Sequence, residues 1–253
     1  MDDLRREYAA EIEEIVGATR RLGELGYVTS HGGNLSYRVA DDVVLITATK
    51  RVKRVATEDD VVVVDSRGAV LGAAPDRKPT GETPMHLTLY ELRPDLRALV
   101  HAHPAVLTGF ALTDSDLLSR PLLPEPIIEV GPVISLPYAE PVSDSLANAF
   151  AHATRYSNAW LLRNHGITVG SSSGVMRALE LMEMLEAMAV SVRTALTVGR
   201  GIAEIPPEEL RNLENTLRSR DMAFPGDPRH VESLTQLYDH AQRKSRRPTS
   251  ATG

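Results

Sequence analysis

Two histidines, His101 and His103, stand two residues apart inside the apolar run ALVHAHP. If this run is a β-strand, both side chains point to the same side of the sheet, because successive residues of a strand alternate between its two faces. Two imidazole rings on one side lie close enough to bind a single ion. The short pattern fits two hydrogen-bonded core histidines equally well, so the pair alone leaves both interpretations open.

A third histidine, His165, lies in the segment LLRNHGITVG, at a predicted turn between two apolar strands. A histidine beside glycine in a turn is often a solvated loop residue. Three histidines with a water molecule in the fourth position, however, form a catalytic zinc arrangement. Three neutral imidazoles leave the ion its full double charge, which stabilises an oxyanion that develops during a reaction. The three residues are therefore candidate ligands of a divalent cation.

A carboxylate that could transfer protons beside this ion is Glu82, in the glycine-flanked loop KPTGETPMH just before a predicted helix. Next to a bound water or substrate, it would act as a general acid or base. The simpler interpretation is a solvated loop charge. His86 follows four residues later in the helix, and we expect it to have a structural role.

The order of predicted elements indicates one domain in which helices pack on a mixed sheet. Apolar residues at helical spacing predict helices at 3–26 and 173–199, and Thr83 with Pro84 predicts the start of another. Strands are predicted in VVLITA, VVVVD and ALVHAHP, on both sides of the NHG turn, and as two short strands in PIIEVGPVISLPY. Further helices are predicted at 143–156, 206–219 and 229–243. We assign residues 1–243 to this domain and expect 244–253 to be a disordered basic tail.

Composition narrows the class of protein. The 253 residues include no cysteine, which excludes disulfides and thiolate metal sites, so histidine and carboxylate must bind any metal. A net charge of −6 argues against nucleic acid as a partner. The acidic start MDDLRREYAAEIEEI is not a signal peptide, and no apolar run approaches the roughly 18 residues of a membrane span. We expect a cytoplasmic protein.

Four segments resemble the class II aldolase/adducin family, and the similarity runs from about residue 8 to 200: GGNLSYRV, LITATK, KPTGETPMHLTLYELRPDLRALVHAHP and LLRNHGITVG. The resemblance implies an α/β fold, a three-layer α/β/α sandwich around a mixed, largely antiparallel sheet. It implies a homotetramer with active sites at subunit interfaces. It also implies that His101, His103 and His165 bind a divalent cation, usually zinc, and that Glu82 is the acid/base residue.

The chemistry of this family follows from the charge of the ion. A small-molecule substrate with adjacent carbonyl and hydroxyl oxygens chelates it, and breaking a carbon–carbon bond leaves an enediolate that the metal stabilises while Glu82 handles the proton. The same device serves aldol cleavage, decarboxylation and epimerisation. Three histidines and a carboxylate suit Zn²⁺, and also Mn²⁺, Co²⁺ or Fe²⁺.

Sugar-phosphate aldolases of this family bind phosphate on three small-residue turns, and this chain resembles them with changes. A lysine stands where the second turn has glycine, and a Thr-Gly pair replaces two serines in the third. A lysine there would bind a phosphate or, equally, a carboxylate as a point charge. The following basic residues, 51–54, have the simpler interpretation of a solvated loop. The candidate anion-binding residues are Gly33, Asn34, Thr49, Lys50, Thr80 and Gly81.

A second departure concerns a catalytic tyrosine that fucose-type aldolases supply from a neighbouring subunit. The corresponding segment LPEPIIEVG contains Glu125 and Glu129 but no tyrosine, and Tyr138 matches a different, structural tyrosine. A decarboxylase needs no such proton donor, because its leaving group is carbon dioxide. The prevalence of aldolases in the family favours cleavage of a ketose phosphate or related hydroxy-ketone. The alternatives are decarboxylation of a hydroxylated aromatic or sugar-derived acid and, remotely, an adducin-like binding module without catalysis.

Overall fold

The structure, a computed structural model, describes residues 2–151, 153–199 and 201–245. Its helices are α1 (Asp2–Glu7), α2 (Ala9–Glu24), α3 (Thr83–Leu92), α4 (Ala105–Ala111), α5 (Pro124–Glu129), α6 (Asp144–Ala149), α7 (Val175–Val198), α8 (Pro207–Ser219) and α9 (Leu234–Ser245). Its strands are β1 (Asn34–Ala40), β2 (Val43–Thr47), β3 (Val61–Val64), β4 (Val70–Gly72), β5 (Ala98–Ala102), β6 (Ile134–Leu136), β7 (Ala159–Leu162) and β8 (Gly166–Ser171).

The eight strands form one sheet in the order β4-β3-β2-β1-β5-β8-β7-β6. Every neighbouring pair is antiparallel except β6 and β7, so the sheet is mixed and largely antiparallel, as predicted. The register sets Asn34 of β1 opposite His101 of β5, and His101 opposite Thr168 of β8. Polar side chains from three central strands therefore meet at one level of the sheet.

Helices cover both faces of this sheet, which makes it the middle layer of an α/β/α sandwich. On one face, Ile15 of α2, Leu107 of α4 and Leu181 of α7 belong to a common apolar cluster. On the other face, Leu89 of α3 and Leu146 of α6 belong to a second cluster. A strand buried on both faces has apolar residues at every position. The unbroken valine run of β3 has this pattern, and the predicted fold class is confirmed.

The last two helices pack together against α5, and α9 also places Ala241 in the second cluster. Leu210 of α8 and Leu234 and Leu237 of α9 form a third apolar cluster with Ile127 of α5. Helix α9 continues to Ser245, so it includes the first two residues of the predicted basic tail; the rest of that tail, 246–253, lies outside the described residues. Within the described part of the chain, no helix combines the length and the apolar character needed to cross a bilayer.

Several predicted elements differ from the structure. The helix predicted at 3–26 is divided into α1 and α2, and the helix predicted at 229–243 begins at Leu234. The first of the two short strands predicted around Gly131 is instead helix α5, which begins at Pro124 because proline suits the first turn of a helix. The helix predicted at 143–156 ends at Ala149. Beyond it, the buried guanidinium of Arg93 donates to the carbonyls of Thr154 and Ser157, at 2.8 Å each, so these groups serve a tertiary contact rather than a helix.

Candidate metal and catalytic site

The rings of His101, His103 and His165 converge on one point, as the sequence analysis predicts. The Nε2 atom of His101 lies 3.2 Å from Nε2 of His103 and 3.3 Å from Nε2 of His165. One ligand atom from each ring lies within 4.8 Å of the other two. Nitrogens bonded to zinc at tetrahedral angles are about 3.3 Å apart. The spacing of the three rings therefore fits a bound divalent cation.

Close backbone packing brings the third ring to the other two. Asn164 has a φ of 55°, a left-handed conformation that asparagine tolerates, and it turns the chain from β7 into β8 just before His165. A Cβ atom on Gly166 would lie 2.4 Å from the carbonyl oxygen of Ala102 and 2.5 Å from Cδ2 of His103. Only glycine lets β8 approach β5 this closely. The NHG segment is therefore a structural device that positions a ligand.

The environment keeps all three imidazoles neutral, as metal ligands must be. Burial lowers the pKa of His101 well below its usual value, and the neighbouring His103 and His165 lower it further. Burial is also the main cause of the lowered pKa values of His103 and His165. The Nδ1 atom of His101 is 3.0 Å from the carbonyl oxygen of Ile167, to which it donates a hydrogen bond. This bond leaves the lone pair of Nε2 directed at the common point.

Glu82 lies beside the three rings, at the turn that leads into α3. Its carboxylate is 7% exposed. Its Oε2 atom is 3.6 Å from Nε2 of His101, and its Oε1 atom is 3.6 Å from Nε2 of His165. Oε2 accepts a 2.8 Å hydrogen bond from Nδ2 of Asn34. Within the described residues, no lysine or arginine pairs with this carboxylate. A buried negative charge therefore faces three neutral imidazole rings. A cation would supply the missing counter-charge.

Some of the candidate anion-binding residues have a backbone N–H group that is already hydrogen-bonded, and others have one that is free. The loops that carry them are adjacent, because Thr49 N donates to the Lys78 carbonyl and Thr80 N to the Thr47 carbonyl, both at 3.0 Å. Those two backbone N–H groups are thereby occupied. Among the described residues, no acceptor binds the backbone N–H groups of the following residues: Gly33, Lys50 and Gly81.

The side chain of Asn34 is not available to an anion. It is buried, and its amide is hydrogen-bonded to Glu82 on one side and to His86 on the other. Because β1 points this side chain at α3, Asn34 could contribute to anion binding only through its place in the Gly33–Asn34 turn, and that contribution stays a prediction. The sequence analysis missed its contact with Glu82, because the two residues are 48 positions apart. The expected structural role of His86 agrees with its complete burial.

The basic run after Lys50 is not a solvated loop. Lys53 is 2% exposed, and burial lowers its pKa to about 8. Nε of Arg51 donates to Asp60 at 2.7 Å, and an Nη atom of Arg54 donates to the Gly23 carbonyl at 3.1 Å. Lys50 is exposed, in a left-handed turn with a φ of 55°, and among the described residues no hydrogen-bond or ion-pair partner holds its ammonium group. It is therefore the cation in this run whose charge is free for a substrate.

Comparisons with known proteins agree with this geometry. Residues 13–191 match the model of the class II aldolase and adducin N-terminal domain. The chain is 31% identical to 3-oxo-tetronate 4-phosphate decarboxylase from Haemophilus influenzae over 209 residues, covering 81% of this chain and 97% of the relative. It is 30% identical to L-fuculose phosphate aldolase from Methanococcus vannielii over 180 residues, covering 71% and 93%.

A solved structure supports the same assignment. YgbL from Klebsiella pneumoniae, a candidate aldolase, epimerase or decarboxylase, superposes with a TM-score of 0.73 at 30% identity. The match covers 81% of this chain and 98% of YgbL. The match to the family model spans all the elements that carry the three histidines and Glu82. The chain therefore belongs to the class II aldolase and adducin family.

Proposed function

We propose that the protein is a divalent-metal-dependent carbon–carbon lyase that decarboxylates a phosphorylated 3-oxo sugar acid. The observation that carries the proposal is the buried carboxylate of Glu82, which faces three neutral imidazoles without a cationic partner among the described residues. This arrangement supports a cation site with a proton-transfer group beside it. An adducin-like module has no use for such a site.

Decarboxylation of a 3-oxo acid breaks the bond between C1, the carboxyl carbon, and C2. The electron pair moves through C2 to the oxygen of the C3 carbonyl, and C1 leaves as carbon dioxide. A divalent cation, when bound, supplies a Lewis acid that stabilises negative charge on oxygen. Glu82, ionised at rest, takes up a proton from water and delivers it to C2, which returns the carboxylate to its ionised form. Its Oε1 atom is the proton donor, because Oε2 is held by Asn34.

Two observations favour decarboxylation over the aldol cleavage that the sequence analysis ranks first. The Haemophilus influenzae relative carries the decarboxylase name and is matched over almost its whole length. The segment LPEPIIEVG, which corresponds to the one that supplies a tyrosine to the neighbouring subunit in fucose-type aldolases, contains no tyrosine. Aldol cleavage needs a proton donor for the oxygen of its leaving group, whereas carbon dioxide needs none. Aldol cleavage is the second candidate, supported by the Methanococcus vannielii relative.

The phosphate of the substrate would bind where three adjacent loops leave backbone N–H groups free, with the ammonium group of Lys50 as a point charge. We propose Zn²⁺ as the metal, with Mn²⁺, Co²⁺ and Fe²⁺ as alternatives, since the ligand set suits all four. A homotetramer with interfacial active sites, a cytoplasmic location, and residues 1–243 as one domain also remain predictions.

The test is a substrate panel with metal-loaded protein. We expect carbon dioxide from 3-oxo-tetronate 4-phosphate, loss of activity with a chelator, and recovery with added Zn²⁺. Release of an aldehyde from L-fuculose 1-phosphate without any carbon dioxide would support aldol cleavage instead. A folded protein that takes up no metal would reject both enzymatic functions and support a binding module.

A further inference from the structure

A continuous series of hydrogen-bonded side chains connects the interior behind α3 to the candidate acid/base residue. The hydroxyl of Tyr90 is 2.8 Å from Oγ of Ser36, which is 2.7 Å from Nδ1 of His86. Nε2 of His86 is 2.5 Å from Oδ1 of Asn34, and Nδ2 of Asn34 is 2.8 Å from Oε2 of Glu82. All five side chains are buried, so water does not compete with them.

The carboxylate at the end of this series determines the direction of the three bonds that lead from it to Ser36. Ionised Glu82 only accepts, so the NH₂ group of Asn34 faces it and the amide oxygen faces His86. His86 must then carry its proton on Nε2, which leaves Nδ1 as an acceptor for the hydroxyl proton of Ser36. The hydroxyl of Tyr90 has one proton, for which Oγ of Ser36 at 2.8 Å and the carbonyl oxygen of Arg97 at 3.2 Å compete. Burial lowers the pKa of His86 to about 4, which agrees with the neutral ring that this pattern requires.

Reversing the amide of Asn34 would break the pattern at both ends. Its oxygen would face the carboxylate of Glu82, and its NH₂ group would face the Nε2–H group of His86. Two acceptors and two donors would then oppose each other in a buried site, where unpaired polar groups are costly. His86 thus selects the orientation of the amide that holds Oε2 of Glu82.

We propose that His86 is a positioning residue, which acts through Asn34 to hold the carboxylate of Glu82 in the orientation needed for proton transfer to the substrate. The proposal rests on the proposed function in that Glu82 is the proton-transfer group. His86 itself touches neither the three ligand histidines nor the carboxylate by hydrogen bond, since Asn34 stands between. Its effect is therefore expected on kcat and not on metal binding.

The decisive pair of variants is His86→Leu and His86→Gln. Leucine removes the donor to Asn34, whereas the amide of glutamine replaces the Nε2 donor. We expect H86L to lower kcat about 10- to 100-fold, as loss of an outer-shell partner does, with metal content and KM close to wild type. We expect H86Q to recover most of that loss. Equal losses in the two variants, or a loss confined to metal content, would overturn the proposal.

A double-mutant cycle separates positioning from a general structural role. If His86 acts through Glu82, H86L should cost little further activity in a Glu82→Gln background. Full additivity would contradict the proposal. The matched control is Thr19→Val, which alters a buried polar side chain in α2 and should leave kcat unchanged.

Two further measurements keep the inference testable. If H86L does not fold, Ser36→Ala replaces it, because loss of the serine donor frees His86 to change tautomer, and a several-fold lower kcat is expected; unchanged kcat would contradict the proposal. Crystal structures of wild type and H86L (or S36A in its place) give an answer that needs no substrate. We expect the contact between Asn34 and Glu82 to open in the variant, and its retention at 2.8 Å would overturn the proposal. An inactive wild type with the expected opening would reject the proposed function alone.

Discussion

Two buried carboxylates show how the same group serves different purposes in this molecule. Asp60 is 5% exposed and Glu82 is 7% exposed. Oδ1 of Asp60 accepts hydrogen bonds from Nε of Arg51 at 2.7 Å and Nε of Arg77 at 3.1 Å. Glu82 accepts one hydrogen bond, from the neutral amide of Asn34. Their burial is alike, and the charge of their partners differs.

The difference indicates which carboxylate has a structural role and which takes part in the reaction. The charge of Asp60 is balanced by cations of the chain itself, so it joins two loops and has no charge left for a ligand. The charge of Glu82 is balanced by no described residue, so a cation from solution can bind beside it and the carboxylate can carry a proton to a substrate. The charge of the hydrogen-bond partners, more than the burial of the carboxylate, therefore identifies the functional residue.

The strongest test of this comparison removes the cation from the Glu82 side. We expect His103→Ala to lose bound metal and to reduce activity roughly 10⁴-fold, because a Lewis acid contributes several kcal/mol of charge stabilisation. Elemental analysis and single-turnover assays on the purified variant measure both effects. A folded variant that keeps metal and activity would remove His103 from the site.

The next largest effect is expected from neutralising the carboxylate of Glu82. Glu82→Gln keeps the shape of the side chain but cannot transfer a proton, so kcat should fall about 10²- to 10³-fold with much of the metal retained. Asp60→Asn serves as the control for neutralising a buried carboxylate elsewhere. Unchanged turnover by the E82Q variant would show that another group transfers the proton.

His86, which is linked to Glu82 through Asn34, and Asp60 should affect the stability of the protein in different pH ranges. Because the pKa of His86 is lowered to about 4, the folded ring stays neutral while the unfolded ring gains a proton below about pH 6.5. Stability should therefore fall as pH drops from 6.5 towards 4, with up to about 3 kcal/mol from this residue. His86→Gln should flatten this part of the profile in urea unfolding. An unchanged slope between pH 6.5 and 4 would contradict the assignment.

Asp60 contributes in a more acidic window. Burial opposes its ionisation, yet the backbone N–H of Thr57 and the charges of Arg51 and Arg77 lower its pKa below the ordinary 3.8. Its stabilisation is therefore present above pH 3.8 and is lost as pH falls through the lower folded value. We expect Asp60→Asn to cost about 2 kcal/mol at pH 7, less than a fully buried pair because both arginines are partly exposed. Wild-type stability in this variant would show that the arginines need no counter-charge.

The smallest expected effect concerns the exposed cation near the site. Lys50→Gly restores the residue that the aldolase pattern has at this position and suits the positive φ. It should raise KM for a phosphorylated substrate about tenfold, the equivalent of one exposed charge-assisted contact, with kcat unchanged. Initial-rate measurements at constant ionic strength check this. A KM equal to that of wild type would place the anion elsewhere.

The sequence determined much of the site by local pattern. Residues two apart in a strand share a face, so ALVHAHP already implied two rings on one side. Apolar spacing also predicted α7 and a helix at 3–26, which the structure divides into α1 and α2, and Thr83 with Pro84 predicted the start of α3. These inferences depend only on residues that are close in the sequence, and the spacing of such residues can be read directly from it.

Only the tertiary structure decided the partners of those residues. The register of β1 against β5 sets Asn34 opposite His101, and the packing of α3 then brings Glu82 and His86 to its two sides. The same long-range packing buried Lys53. Contacts across some fifty residues depend on strand register and layer packing, and local spacing carries no record of either.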